Sequence, residues 1–209
     1  MEDPRAATDG RVRRGDETRR TVLRCAVDVA SVEGLDGVTI GRLAQELSIS
    51  KSGLFAHFGS KEELQLAAVR AARAIFATVV VTPAMAEPAG MARLRALLVA
   101  WVDYSRGRQF PGGCFFSRAT HEYAARPGPV RDALADADAE WLALIARAVD
   151  EARQLGEVRA DVEPEQLAYE LDAYLDSANL RSLLAADQGA YDRALAAIEA
   201  RLDAAASTV

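Results

Sequence analysis

The chain has 209 residues, enough for one large domain or for a small domain joined to a larger one. Half of the residues are apolar and only 6% are aromatic, which excludes global disorder and favours helices over sheets. The net charge is −6, but residues 11–70 carry ten basic against eight acidic side chains, so the acidity belongs to the rest of the chain. This distribution leaves a polyanionic partner possible for the N-terminal part.

Residues 1–15 are predicted to form a flexible basic tail that ends in three arginines, Arg11, Arg13 and Arg14. The arginines would suit an arm that reaches into a DNA groove, and they would equally suit a solvated tail. Residues 16–62 are predicted to form a small three-helix domain, and residues 63–209 a larger helical one.

Apolar residues recur at helical spacing over most of the remaining chain, and no segment reads convincingly as a strand. Ser60 and Glu63 form a capping box that predicts the start of a long helix. Pro83 and Pro88 are expected to bracket a loop. The predicted helices cover about residues 16–32, 39–47, 51–58, 61–78, 89–106, 114–124, 130–155, 165–186 and 190–205. The predicted fold class is therefore all-α, an N-terminal helix-turn-helix followed by a helical bundle.

Two cysteines, Cys25 and Cys114, share no metal-type spacing and are expected to be free thiols in a reducing cytosol. No apolar leader occurs in residues 1–20 and no apolar run reaches about 18 residues, so a cytoplasmic chain with no membrane span is expected. The two histidines lie far apart, and no catalytic, nucleotide or metal motif occurs. We therefore expect no cofactor, no metal and no catalytic residue.

The spacing of apolar residues predicts how the three short helices pack. The residues expected to hold them together are Leu43, Ala44, Leu47, Ile49, Leu54 and Phe58. The residues expected to point outward from the third helix are Lys51, Ser52, Phe55, Ala56 and His57. A short helix of this kind fits the major groove of DNA, where its N-terminal residues would meet base edges.

The segment from Thr18 to Ala68 resembles the DNA-binding domain of the TetR (tetracycline repressor) family. The resemblance is carried above all by the string SKSGLFAHFGSKEEL at residues 50–64. It implies that the third helix is the recognition helix and that several residues contact DNA or support such contacts. These residues are Thr39, Ser50, Lys51, Ser52, Gly53, Phe55, His57 and Lys61.

Three positions depart from the family pattern. Phe55 stands where tyrosine is usual, so one phosphate contact is in doubt and the ring would instead touch a thymine methyl. Ser48 stands where many helix-turn-helix turns have glycine, and a left-handed backbone there would cost serine on the order of 1 kcal/mol. Ala30 stands where phenylalanine is common, so the core of this domain must be filled differently.

A helix-turn-helix that reads two half-sites needs a symmetric dimer. The last two helices are the candidates, because two helices from each subunit would make a four-helix bundle. Their leucines could also form intramolecular core, and a mixture of the two is favoured. The residues predicted at the dimer interface are Leu171, Leu175, Leu183, Leu195, Ile198 and Leu202.

The aromatic residues of the middle helices would suit a mostly apolar ligand pocket, although each could instead be packed core. The residues predicted to contact a ligand are Trp101, Tyr104, Phe116, His121, Trp141 and Tyr174. The resemblance thus implies a homodimeric repressor that binds a palindromic double-stranded operator and is released by a small apolar or aromatic effector. The alternatives are a ligand-independent DNA-binding regulator or activator and, against the absence of catalytic motifs, an all-α enzyme.

Overall fold

The computed structural model describes residues 4–207, with side chains from Glu17 onward. Its α-helices are α1 (Pro4–Glu33), α2 (Ile40–Glu46), α3 (Lys51–Phe58), α4 (Lys61–Phe76), α5 (Thr82–Met85), α6 (Met91–Arg106), α7 (Phe115–Tyr123), α8 (Pro129–Gln154), α9 (Pro164–Leu184) and α10 (Gly189–Ala205). No β-strand occurs between residues 4 and 207, where Val158 and Ala206 form an isolated antiparallel bridge. The all-α prediction is confirmed. We call α1–α3 the head and α6–α10 the body.

Serine and threonine side chains determine where the short helices begin. The Thr39 hydroxyl accepts a hydrogen bond from the Arg42 amide at 3.1 Å, and the Ser50 hydroxyl accepts one from the Gly53 amide at 3.1 Å. Each bond satisfies an amide that has no partner within its own helix. Ser60 does the same for α4, through the Glu63 amide. The predicted starts of α3 and α4 are confirmed.

The turn between α2 and α3 contains a non-glycine residue with a left-handed backbone, because Ser48 has φ of +54°. Side chains with a Cβ atom are disfavoured in this region, whereas glycine enters it readily. We therefore expect Ser48→Gly to raise the free energy of unfolding by about 1 kcal/mol. Urea denaturation of the two proteins measures the difference. Gly15→Ala within α1 is the control: it replaces glycine by alanine at a right-handed helical position, where glycine is the less favourable residue. A loss of stability in Ser48→Gly would contradict the expectation.

Two predicted boundaries are wrong. The first helix begins at Pro4 rather than near residue 16, so residues 4–15 continue α1 instead of forming a flexible tail. Alanine and arginine are strong helix formers, and they outweigh the two glycines in this stretch. The side chains of Arg11, Arg13 and Arg14, and with them the predicted arm, lie outside the described residues.

The second wrong boundary lies at Pro83, where a loop was expected. The helical backbone instead continues from α4 through a π-helical turn, Ala77–Val81, into α5. The Thr82 amide donates to the carbonyl of Ala77, five residues back. Proline lacks the amide that an α-helix interior needs, but at the first turn of a new helical segment that amide is not required. The wider turn thus lets Pro83 start α5.

The combined stretch Lys61–Met85 is long and apolar enough to cross a bilayer, judged by length and composition alone. Its α4 part packs against α1 and α8, with Leu64, Ala68 and Ala72 fully buried. A core helix of a helical protein meets the same criterion, and the buried face of α4 packs in the core in this way.

In the body, α9 packs along both α8 and α10. Four residues predicted at a dimer interface, Leu171, Leu175, Ile198 and Leu202, are at most 1% exposed in the single chain. They pack inside the protomer, so their assignment to the interface is corrected to core. Leu183 is exposed, and Leu195 is partly buried against the core. The large apolar side chains that α9 leaves at the surface are Tyr169, Leu180, Leu183 and Leu184.

Candidate functional site

The third helix separates a buried face from an exposed one. Leu54 and Phe58 point inward and are 0% and 6% exposed, whereas Phe55 is 56% exposed. The other predicted DNA-facing residues of this helix are also at the surface: Lys51, Ser52, Gly53 and His57. The outward set predicted from the sequence therefore lies together on one exposed face of α3.

Basic side chains and helix N-termini surround this face. The Lys51 side chain lies beside Gly41, at the N-terminal end of α2 that Thr39 caps. Lys61 is the first residue of α4, and its Nζ lies 3.3 Å from a carboxylate oxygen of Asp36. Unpaired amides at helix N-termini favour anions, so the beginnings of α2, α3 and α4 can all face phosphates.

An arginine of α1 holds the recognition helix in place. The Arg19 guanidinium donates to the His57 carbonyl at 2.8 Å and lies over the Phe58 ring, 4.6 Å from its centroid. The carbonyls at the C-terminal end of a helix attract cations, so this contact stabilises the end of α3 without using its exposed face.

The 3₁₀ turn Leu35–Gly37 in the head is completed by the body. The Glu122 carboxylate of α7 accepts hydrogen bonds from the Leu35 amide at 2.7 Å and the Asp36 amide at 3.0 Å. The buried Gln65 amide donates to the Leu35 carbonyl at 2.7 Å. Head, connecting helix and body therefore share one hydrogen-bonded junction.

Asp36 lies at the centre of the charges at this junction. Its carboxylate pairs with Arg126 of the body and Lys61 of α4, and the Tyr123 hydroxyl lies 3.4 Å away. The Arg126 guanidinium, with Lys61, holds the pKa of Asp36 below its usual range. The lysine that the family resemblance assigns to a phosphate thus has an intramolecular carboxylate partner as well.

A loop of the body lies directly on α1. The Gly112 amide donates to the Ser31 hydroxyl at 3.0 Å, and a Cβ atom on Gly112 would lie 1.9 Å from the Ser31 carbonyl oxygen. Next to it, the Arg24 guanidinium donates to the Gln109 carbonyl at 2.7 Å and lies over the Phe110 ring. Ala30, at the position where the family often has phenylalanine, is fully buried in the core.

The body contains a cavity of about 1080 Å³ between the end of α4 and helices α6–α9. At its inner end lie four aromatic rings, those of Phe76, Trp101, Phe116 and Trp141. Phe76 makes edge-to-face contacts with Phe116 at 5.9 Å and with Trp141 at 5.2 Å between centroids. A cavity of this size and lining is typical of small-molecule sites.

Four of the six residues predicted to contact a ligand line this cavity: Trp101, Phe116, His121 and Trp141. Tyr104 and Tyr174 do not. Tyr104 lies behind Phe76 in an edge-to-face contact at 5.4 Å, and its hydroxyl faces Cys114 and the Phe115 amide. Tyr174 is partly buried against the core. Whether the four lining residues bind a ligand stays a prediction.

Sequence reasoning missed the other side of the cavity. Phe76 and a set of acidic residues also line it, Asp138 on α8 and Asp172 and Asp176 on α9. The spacing of Tyr169, Asp172 and Asp176 places them on one face of α9, and that spacing was the available signal. Asp172 accepts a hydrogen bond from the Trp141 indole at 2.8 Å, which fixes the position of the ring.

Burial raises the pKa of Asp172 to about 6, an effect that the Trp141 hydrogen bond partly offsets. The folded protein therefore holds this proton more tightly than the unfolded chain, and this contribution to stability is lost as the pH rises from about 4 to 6. We expect Asp172→Asn to raise the free energy of unfolding at pH 7 by about 1–3 kcal/mol, with the gain shrinking toward zero near pH 4.

Urea denaturation across this pH range measures the effect. Asp103→Asn, at an exposed position of α6 outside the cavity lining, is the control. A gain for Asp172→Asn that is independent of pH would contradict the assignment.

Both cysteines are free thiols, as expected from the sequence, and no cluster that could hold a metal ion occurs among the described residues. Burial raises the pKa of the Cys114 thiol, which lies at the cavity wall. The site is thus composed of the exposed face of α3, a partly open aromatic and acidic cavity, and the helix α4 between them.

Comparison with known proteins identifies the family. Two protein-family models match the chain. The family model described as "Bacterial regulatory proteins, tetR family" matches residues 22–68, and the family model described as "Tetracyclin repressor-like, C-terminal domain" matches residues 90–198. The chain is 25% identical over 167 residues to the transcriptional regulator AcuR of Cereibacter sphaeroides, covering 79% of this chain and 74% of that protein.

Solved structures share the fold over nearly the whole chain. A TetR transcriptional regulator from Chloroflexus aurantiacus superposes with a TM-score of 0.87 at 22% identity, covering 94% of this chain and 100% of that one. A TetR-family regulator from Cytophaga hutchinsonii superposes with a TM-score of 0.81 at 19% identity, covering 94% and 98%. The chain belongs to the TetR family of DNA-binding transcriptional regulators.

Proposed function

We propose that the protein is a homodimeric repressor that binds a palindromic operator and is released by a small ligand bound in the body. The observation that carries the proposal is α4. It begins with Lys61 beside the recognition helix and ends with Phe76 in the cavity. A ligand that favours one position of Phe76 would bias the position of the head, and DNA would bias the cavity in return.

The exposed face of α3 supports the DNA-reading part of the proposal. Lys51, Ser52 and Gly53 occupy its first turn, where recognition helices contact base edges and phosphates. Two such helices in a symmetric dimer would lie roughly 34–36 Å apart, one turn of DNA. The exposed apolar side chains of α9, Leu180, Leu183 and Leu184, offer a surface for the second copy.

The first experiment is selection of bound sequences from random duplex DNA by the purified full-length protein. We expect a palindrome with half-sites about one turn apart. Lys51→Ala should weaken binding to it and lower the slope of log affinity against log salt by about 1, because one phosphate contact is lost. Arg118→Ala, which removes an exposed charge from α7, is the control and should leave the slope unchanged.

A folded dimer that enriches no sequence would contradict the proposed reading role. Enrichment of a palindrome whose salt dependence is the same for wild type and Lys51→Ala would keep the function but remove Lys51 from the interface.

A further inference from the structure

The cavity has two chemically different parts. Its inner end is aromatic, with Trp101 buried and the rings of Phe76, Phe116 and Trp141 half-buried around it. Its α8–α9 wall is acidic, because the lining residues include five carboxylates and only two guanidinium groups. A purely apolar effector would use the first part and leave the second without a function.

Three of the five lining carboxylates have no basic partner. Asp136, Asp138 and Asp172 lie beyond ion-pair distance of every basic side chain among the described residues, and Asp176 lies 3.9 Å from the His121 Nε2. Of the two lining arginines, Arg73 is paired with Glu140 at the surface and Arg147 is exposed on α8, so the five carboxylates exceed the two guanidinium groups by three. The negative charge of this wall is therefore largely unbalanced within the protomer.

The three aspartates Asp138, Asp172 and Asp176 line the same wall and their charges interact. Burial raises the pKa of both Asp138 and Asp172; the charge of Asp176 raises the pKa of Asp138 further, and the charges of Asp138 and Asp176 raise that of Asp172 further. Keeping several carboxylates close together on a partly desolvated wall is unfavourable unless a cation lies among them. An anionic ligand would add to this repulsion.

Aromatic rings next to carboxylates are suited to organic cations. The negative face of an indole or phenyl ring attracts an ammonium-type charge, and the attraction grows when water is excluded. The indole of Trp141, held by Asp172, and the ring of Tyr169 place such faces on the same two helices as the acids.

We propose that the effector is an organic cation. Its aromatic or apolar part would lie against Phe76, Phe116 and Trp101, and its positive group between Asp138, Asp172 and Asp176. The inference deepens the proposed function and rests on it, because it names the chemical class of the ligand that the body senses. It also restricts the class of effector predicted from the sequence, a small apolar or aromatic molecule, to molecules that carry a positive charge.

The test uses two ions of nearly the same shape and opposite charge, tetraphenylphosphonium and tetraphenylborate. The chain has two tryptophans, and both line the cavity, so quenching of their fluorescence reports binding to the full-length protein. We expect saturable quenching by tetraphenylphosphonium and at least tenfold weaker binding of tetraphenylborate. Asp172→Asn should weaken binding of the cation at least fivefold, whereas Asp103→Asn should not change it.

Equal or tighter binding of tetraphenylborate, or unchanged cation affinity in Asp172→Asn, would overturn the proposal. So would the absence of quenching by either ion. Circular dichroism establishes that the variants are folded. Binding of the selected operator duplex by the same preparation separates the two hypotheses: operator binding without a preference for the cation refutes the ligand class alone, and loss of operator binding in the unliganded wild type refutes the proposed function.

Discussion

Gly112→Ala is expected to lower the free energy of unfolding by about 3 kcal/mol or more, since overpacking against an atom that cannot move exceeds the usual cost. The new methyl group would lie 1.9 Å from the Ser31 carbonyl oxygen, which belongs to the backbone of α1. The loop and the helix would have to separate, and the hydrogen bond from the Gly112 amide to the Ser31 hydroxyl would be lost. Thermal and urea denaturation measure the loss.

Gly15→Ala is the matched control, because a Cβ atom there meets nothing within 4 Å. Within a helix that change should stabilise by up to about 1 kcal/mol. If Gly112→Ala were as stable as wild type, the loop could not lie on α1 as closely as described, and the head would be held to the body by other contacts.

Phe58→Ala is expected to abolish operator binding by unfolding the head. Removing a buried phenylalanine typically costs 3–5 kcal/mol, a large part of the total stability of about 5–15 kcal/mol. The ring also supports the Arg19 guanidinium that holds the end of α3. The measurements are the denaturation midpoint and the affinity for the selected duplex.

Phe55→Ala provides a control on the same helix, three residues away. Phe55 is 56% exposed, so its loss should change stability by no more than about 0.5 kcal/mol. It should nevertheless reduce operator affinity if the ring contacts DNA. A Phe58→Ala protein with wild-type stability would show that α3 does not pack as described.

Local chemistry made much of the fold predictable. The capping box at Ser60 marked the start of α4, and the apolar spacing gave Leu54 and Phe58 as core. The family string at residues 50–64 gave the exposed residues of α3, because the residues predicted to contact DNA are adjacent in sequence. Predictions based on side-chain caps and on apolar spacing were therefore reliable in this part of the chain, whereas glycine and proline signals misplaced the start of α1 and the end of the helical stretch after α4.

The errors have two sources: helix boundaries at which local signals conflict, and burial that depends on distant segments. Proline at position 83 is compatible with a loop or with the first turn of a helix, and only the preceding π-helical turn decides between them. Leu171 and Ile198 have the spacing of an interface stripe, but an intramolecular helix pair uses the same spacing. Asp172 was missed because a single acidic residue on a helix is usually solvated, and its burial depends on α8.

The connecting helix α4 sets the distance over which the proposed coupling between cavity and recognition helix acts. From Lys61 to Phe76 it rises about 22 Å at 1.5 Å per residue. A rigid rod of this length turns a small tilt at the cavity into a displacement of the recognition helix. Near its N-terminal end, Lys61 and Gln65 contact Asp36 and Leu35, the two residues whose amides donate to Glu122 of α7. In the proposed coupling the head would therefore move with α4 and α7 together.

The carboxylate of Glu122 also limits how this protein could be recombined with its relatives. A hybrid that joins residues 1–68 to a foreign body would leave the amide of the buried Leu35 without its acceptor, at about 1–3 kcal/mol, and would leave the exposed amide of Asp36 to bond with water. Exchange of DNA specificity by transplanting the helix-turn-helix alone would therefore yield a weakened protein. A hybrid that keeps this contact must include the chain through α7. Glu122 lies more than fifty residues beyond the end of the matched DNA-binding segment at residue 68.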